Sequence, residues 1–393
     1  MSCKGISSED ERYRTSTQYR LWSFSPSALH ELRQTTNKTA ADRVREAVRR
    51  AREARNSLTD SKITSKQPGN VVSDEEFDFL TVEEELKLLV FYCRQTIQLG
   101  DHLGLPSDVK STLNYSGTDL FLSYDEATAI QYMKRFYLSN SLMTYHPTDI
   151  LKTALFFATK SENFYFRLTK FADTIGKTKP EDVLASEFLL TQGLRFTFDV
   201  RHPYRALEGA IMELQALSRK SLPILPDNSE KIEERPKNME RRVKDAHGKA
   251  REYLKSSTLL TDVYFHFTPS QIMMAALLNA DEDLVTWYLR QKFPVQESLE
   301  TQKKILDTIR DCAVMLKTVN PRIEPSGEER KELQGLAKKL KKCRNPEKMD
   351  VLGLQRIKRE GEEGYGENIV KKRKLESEIS IKEADDIFGP KLK

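Results

Sequence analysis

The stretch PTDILKTALFFATKSEN, residues 147–163, constrains the fold more than any other part of this chain. Wound as a helix, it carries Ile150, Leu151, Ala154, Leu155, Phe156, Phe157 and Ala158 on every side, and a helix of that kind is stable only when other helices surround it. Pro147 marks the start, because the missing amide donor of proline costs nothing in a first helical turn. The far end turns abruptly to Lys160, Ser161, Glu162 and Asn163, so a buried rod is expected to surface carrying charge.

The rod has a twin. With Pro147 laid on Pro269, an offset of 269 − 147 = 122, Ile150 falls on Ile272, Ala154 on Ala276, Leu155 on Leu277 and Ala158 on Ala280. A repeat of that length implies a duplicated domain, each copy near the common size of ~100 to 150 residues. Only 16 glycines in 393 residues, with few alternating Val/Ile/Thr runs, indicate an all-α fold.

The chain has no apolar run of about 18 residues and no basic-then-apolar leader, so neither a membrane span nor a signal peptide is expected and the reading is intracellular. Cys3, Cys93, Cys312 and Cys343 lack metal-ligand spacing, and Cys93 and Cys312 fall in apolar helical patterns that suit reduced core thiols. No HExxH, Walker glycine loop or protein-kinase signature occurs, and Gly361, Gly364 and Gly366 lie in a charged tail with no strand before them. No cofactor, no metal and no catalytic residue is therefore expected: the chain reads as a non-enzyme. The six histidines are scattered, and His146 and His266, each just ahead of a repeated helix, read as capping or packing residues. A net charge of +5 is close to balance and demands no nucleic-acid ligand.

In chain order, residues 1–58 form an N-terminal segment and helix. Tyr19, Leu21, Trp22 and Phe24 are an aromatic anchor before Ser25-Pro26, and Ala41, Val44, Ala47, Val48, Ala51, Ala54 and Leu58 are a narrow apolar stripe among arginines. Those arginines suit an RNA surface or, the plainer reading, a solvated helix with pairs such as Glu46 to Arg50. Residues 59–80 read as a polar linker, ending where Thr81 and Glu84 make a capping box. Five helices follow in 81–202, the last running from Pro180 through Val183, Leu184, Phe188, Leu189 and Leu194, and five more in 203–320. A C-terminal helix at 321–345 and a disordered basic tail at 346–393 complete the chain. In the tail, Lys371, Lys372, Arg373 and Lys374, with Arg356, Lys358 and Arg359 upstream, read as a bipartite nuclear localisation signal, so the expected location is the nucleus.

Two tandem five-helix bundles, each around a buried third helix, resemble the cyclin fold. YRTSTQYRLWSF, YMKRFYLSNSLMTYHP, KSENF, HPYRALEG and LTDVYFHFTPSQI resemble the cyclin branch that regulates the CDK-activating kinase of transcription factor IIH, over about Tyr13 to Cys343. The resemblance implies two cyclin boxes flanked by terminal helices, a cyclin-dependent kinase catalytic subunit as partner, a RING-finger assembly subunit and the transcription factor IIH core as further partners, and a role in RNA polymerase II C-terminal-domain phosphorylation and cell-cycle control. It also implies that Lys160 and Glu187 clamp the backbone of the kinase's regulatory helix, with Glu162, Phe164 and Phe166 beside them. An ammonium offers three donors and a carboxylate accepts several, which suits such a clamp. Cell-cycle members brace the clamp with an arginine in the first helix, whereas LKLLVFYC offers none. A transcription-factor-IIB-like scaffold would need a zinc ribbon that these cysteines cannot build, and a helical RNA-binding adaptor would rest on the arginine helix alone.

Overall fold

The computed structural model describes residues 13–60, 78–103, 124–164, 166–176, 178–219, 236–292, 299–319 and 326–344, and no strand occurs among them. The helices run, in order, α1 (Thr17–Trp22), α2 (Pro26–Asp60), α3 (Val82–Leu103), α4 (Tyr124–Ser139), α5 (Pro147–Ser161), α6 (Leu168–Ile175), α7 (Pro180–Leu184), α8 (Glu187–Gly193), α9 (Tyr204–Ser218), α10 (Met239–Lys255), α11 (Ser257–Leu260), α12 (Val263–His266), α13 (Pro269–Ala280), α14 (Glu282–Lys292), α15 (Leu299–Lys317) and α16 (Gly327–Arg344). The chain divides into two compact units, and both are discontinuous in sequence.

One unit takes residues up to His30, Tyr92–Phe136 and Asp149–Glu324. Here α5 is the buried rod its sequence demands: Ile150, Leu151, Ala154, Leu155, Phe156 and Ala158 are all buried. Phe157 packs on Tyr132 of α4 and Phe156 on Phe171 of α6, while the Thr153 hydroxyl donates to the Val183 carbonyl of α7 at 2.7 Å. Burying each such aromatic or aliphatic side chain stabilises the bundle by ~1.5–3 kcal/mol. The twin α13 holds the same position in the second set, packed against α9, α10, α14 and α15. Its start is a complete capping box, Thr268 accepting from the Gln271 amide and the Gln271 side chain from the Thr268 amide. Between the two sets the buried Lys134 of α4 donates to the Thr261 carbonyl and lies 3.5 Å from Asp262, so its charge is matched where water cannot reach it.

The second unit takes Glu31–Phe91, Tyr137–Thr148 and residues from Pro325 onward. Leu80, Leu88, Leu89, Leu336, Leu340 and Cys343 are buried in it. Thr81 and Glu84 form the expected capping box, and Lys339 of α16 reaches Glu84 at 2.8 Å and Asp78 at 2.6 Å. The buried stripe of α2 runs through Ala40, Val44 and Val48 rather than Ala47, which is exposed. Among the described arginines of this helix, Arg50 pairs with Glu46 and Arg49 with Glu53, both on the solvated face.

Two further differences from the sequence expectation matter. The helix expected from Pro180 to Leu194 is broken at Ala185 and Ser186, so Glu187 opens a helix of its own. Phe188, named among the apolar residues of that expected helix, is 70% exposed. The signal Lys371, Lys372, Arg373 and Lys374 lies outside the described residues, as do most of the linker and the tail.

Candidate functional site

Lys160 and Glu187 meet. The ammonium lies 2.7 Å from both carboxylate oxygens, and it also sits 4.9 Å above the centre of the Phe156 ring. Each residue comes from a helix end: Lys160 from the last turn of α5 and Glu187 from the first position of α8, where each charge opposes the local helix dipole. Both remain partly exposed, at 42% and 28%, so the pair is available to a partner.

The exit from α5 is fixed by its own backbone. Asn163 adopts a left-handed conformation at φ 60, its amide bonds the Lys160 carbonyl at 3.2 Å and the Phe164 amide bonds the Thr159 carbonyl at 2.8 Å. This is a Schellman ending with asparagine in the place usually taken by glycine. Phe164 and Phe166 then turn back as an edge-to-face pair, with Phe166 packing on Phe171 and Lys170 above the Phe166 ring. The two phenylalanines are half-buried and belong as much to the local core as to the surface.

Glu162 is differently engaged. It accepts a hydrogen bond from Thr128 at 2.8 Å, and the same Thr128 oxygen lies 2.9 Å from Nε2 of His202, whose Nδ1 lies 2.8 Å from the Tyr264 hydroxyl. Thr128 has one proton and gives it to Glu162. His202 therefore carries its proton on Nε2, and its Nδ1 accepts from Tyr264. Burial, helped by the nearby Arg135, pushes the His202 pKa down to about 3, so the chain of bonds stays neutral at its centre. Tyr132 adds a second tie, its hydroxyl reaching the Phe198 carbonyl at 2.6 Å and the Ser161 hydroxyl at 2.9 Å.

The structure thus brings Lys160 and Glu187 together, with Phe164, Phe166 and Glu162 on the segment after Lys160. Sequence reasoning missed Phe188, next to Glu187, and Phe196, 63% exposed beyond the end of α8. For Phe188 the sequence offered only a phenylalanine near Leu184, Leu189 and Leu190, which looks the same for a core residue. His146 accepts from the Thr148 amide, and His266 bonds the Phe24 carbonyl at 2.8 Å, consistent with capping and packing roles. Among the described residues no group of three or more His, Cys, Asp or Glu is placed to hold a metal. A cleft of about 120 Å³ lies between Thr35–Arg43 and Ser139–Thr144. In it, Thr35, Thr36, Thr39 and Ser141 donate their hydroxyl protons to Glu31, Leu138, Thr35 and Glu85.

The surface thus combines a charged pair with the exposed Phe188 and Phe196 on a helical scaffold. The family model for the cyclin C-terminal domain matches residues 202–317. Cyclin-H of Xenopus laevis is 31% identical over 274 residues, which cover 67% of this chain and 75% of the frog protein. This chain belongs to the cyclin H family. Cyclin CCL1 of Saccharomyces cerevisiae is 35% identical over 290 residues, and the match spans 74% of this cyclin but only 63% of the yeast protein's length. Among solved structures, the CAK complex of Chaetomium thermophilum bound to ATP-γ-S contains a chain of 38% identity and TM-score 0.65, covering 92% of this cyclin and 98% of that chain. A chain of the yeast TFIIK complex, composed of Kin28, Ccl1 and Tfb3, aligns with TM-score 0.52 and 29% identity over 77% of the cyclin and the whole of that chain. The fold is that of an all-α cyclin, and the family is the one that supplies the cyclin subunit of the CDK-activating kinase.

Proposed function

We propose that this cyclin binds and activates a cyclin-dependent kinase as the regulatory subunit of the CDK-activating kinase of transcription factor IIH, and that Lys160 and Glu187 grip the kinase. The observation that carries this reading is the two-pronged Lys160–Glu187 pair, with both oxygens engaged at 2.7 Å beside the exposed Phe188. In the free chain each charge satisfies the other. Against a kinase helix, the ammonium turns its donors to backbone carbonyls and the carboxylate accepts amide protons, so the partner exchanges one set of charge-assisted bonds for another. Phe188, Phe164 and Phe166 supply the apolar contact that excludes water around them. The domain frame is a first cyclin box at 81–202 and a second at 203–320. Transcription factor IIH core subunits and a RING-finger subunit are further partners, and Lys371, Lys372, Arg373 and Lys374 direct the chain to the nucleus. Catalysis resides in the kinase.

The test is a calorimetric titration of the catalytic subunit with Lys160→Ala, Glu187→Ala and the double variant. Interface anchors typically cost at least ~2 kcal/mol on truncation, so an affinity about thirtyfold weaker is expected for the double variant. The two single losses should not add, because each frees a partner that the other needed. Unchanged dissociation constants in all three would remove the clamp.

A further inference from the structure

Helix α8 ends in an unusual way. The Phe196 amide bonds the Thr191 carbonyl at 3.0 Å and the Arg195 amide bonds the Gln192 carbonyl at 2.9 Å, which is again a Schellman ending. Here the glycine position is held by Arg195 at φ 53, and Phe196 follows at φ 53 as well. Two consecutive left-handed residues, neither of them glycine or asparagine, are strained and persist only where their surroundings hold them. The result of the strain is that Phe196 points outward, 63% exposed, on the same short segment that begins with Glu187 and Phe188.

What holds the turn comes from the other end of the chain. Trp22 of α1, 2% exposed, donates its indole N–H to the Thr197 hydroxyl at 2.9 Å, and Thr197 in turn donates to the Leu194 carbonyl at 2.8 Å. The guanidinium of Arg195 lies 5.2 Å from the Trp22 ring centre, and so does that of the buried Arg135. Gln18, one turn earlier on α1, accepts from the Arg201 amide at 2.6 Å and from Arg135 at 3.3 Å. The short helix α1 therefore clasps residues 195–201 at two points, with Arg135 beneath it. The backbone of Phe24, just beyond, is fixed by the Phe265 carbonyl at 2.8 Å and by His266.

We propose that Trp22 is a positioning residue for kinase binding: by bonding Thr197 and stacking on Arg195 it keeps Arg195 and Phe196 left-handed, so that Phe196 is displayed on the docking face. This rests on the reading of Lys160 and Glu187 as that face. It makes the N-terminal segment a determinant of kinase affinity.

The experiment uses the full chain and a purified catalytic subunit of a CDK-activating kinase, with Trp22→Phe, which keeps a ring and removes the N–H, and Thr197→Val as an independent break of the same bond. Hydrogen exchange of the Phe196 and Thr197 amides is followed in the free chain, and kinase affinity by titration. Loss of one hydrogen bond should speed exchange and weaken affinity roughly two- to tenfold in both variants. Adding Arg195→Asn, a side chain that tolerates positive φ, to Trp22→Phe should restore both, which a role in bulk stability would not produce. Faster exchange with unchanged affinity, or no rescue by Arg195→Asn, overturns the proposal. Glu187→Ala serves as the reference. If it weakens binding while the Trp22 and Thr197 variants do not, the clasp alone is wrong. If Glu187→Ala also leaves affinity unchanged, the docking face has been misplaced, and the proposal falls with it.

Discussion

Replacing Tyr132 by phenylalanine isolates a single hydroxyl that ties the Lys160 side of the surface to the Glu187 side. Tyr132 is fully buried and its ring packs on Phe157, so the ring stays and no cavity opens. The hydroxyl alone spans from Ser161, next to Lys160, to the Phe198 carbonyl on the segment that follows α8. Burial pushes its pKa up to about 12, so it remains a donor at any working pH. Its removal takes a donor from the part-buried Phe198 carbonyl, at a cost of about 1–1.5 kcal/mol. With a urea dependence near ~3 kcal/mol per molar, the unfolding midpoint of the free chain should fall by up to about half a molar. Urea titration followed by circular dichroism measures this directly. A shift below about 0.1 M would mean that the hydroxyl is not what satisfies Phe198, and the account of how the two helix ends are held in register would be wrong.

Other outcomes follow from the same geometry. Although burial opposes it, the carboxyl of Asp281 is held below its ordinary range by Arg242 and the Leu284 amide. A depressed carboxylate pKa gives stability that is present above the unfolded value and is lost as pH falls through the folded one, so Arg242→Ala should destabilise the chain at pH 7 and flatten its acid unfolding below about pH 4; an identical acid limb would contradict this. Thr268→Ala removes the cap of α13 and should cost ~1 kcal/mol, read as a lower melting temperature, whereas no change would mean that the capping box is idle. Burial raises the thiol pKa to about 12 at Cys93 and Cys312 and to about 11 at Cys343, so all three should resist Ellman's reagent until the chain unfolds. Rapid labelling of any of them in the native chain would show that its helix opens.

The elements legible in the sequence were those whose signals are local and redundant. α5 and α13 have proline starts and apolar residues all round, α6 was bounded correctly at Leu168 and Ile175, and the Thr81–Glu84 box marked α3. The break at Ala185–Ser186 carried no glycine or proline to announce it, so Pro180 to Leu194 read as one helix. Phe188 shows the corresponding limit for function, because apolar periodicity tells that a side chain avoids water and not which surface it avoids water with. Lys160 and Glu187 were legible only through family resemblance, since a lysine at a helix end and a glutamate in a helix are ordinary on their own. The Trp22–Thr197 bond joins residues 175 positions apart, and no local pattern encodes a contact of that separation.

The chain contains only two tryptophans, Trp22 in the clasp and Trp287, buried in α14. With Trp287→Phe, indole emission from the free chain would come from the one ring that lies 5.2 Å from both the Arg135 and the Arg195 guanidinium. The cyclin thus carries its own optical gauge of whether that clasp is closed, readable without any added label.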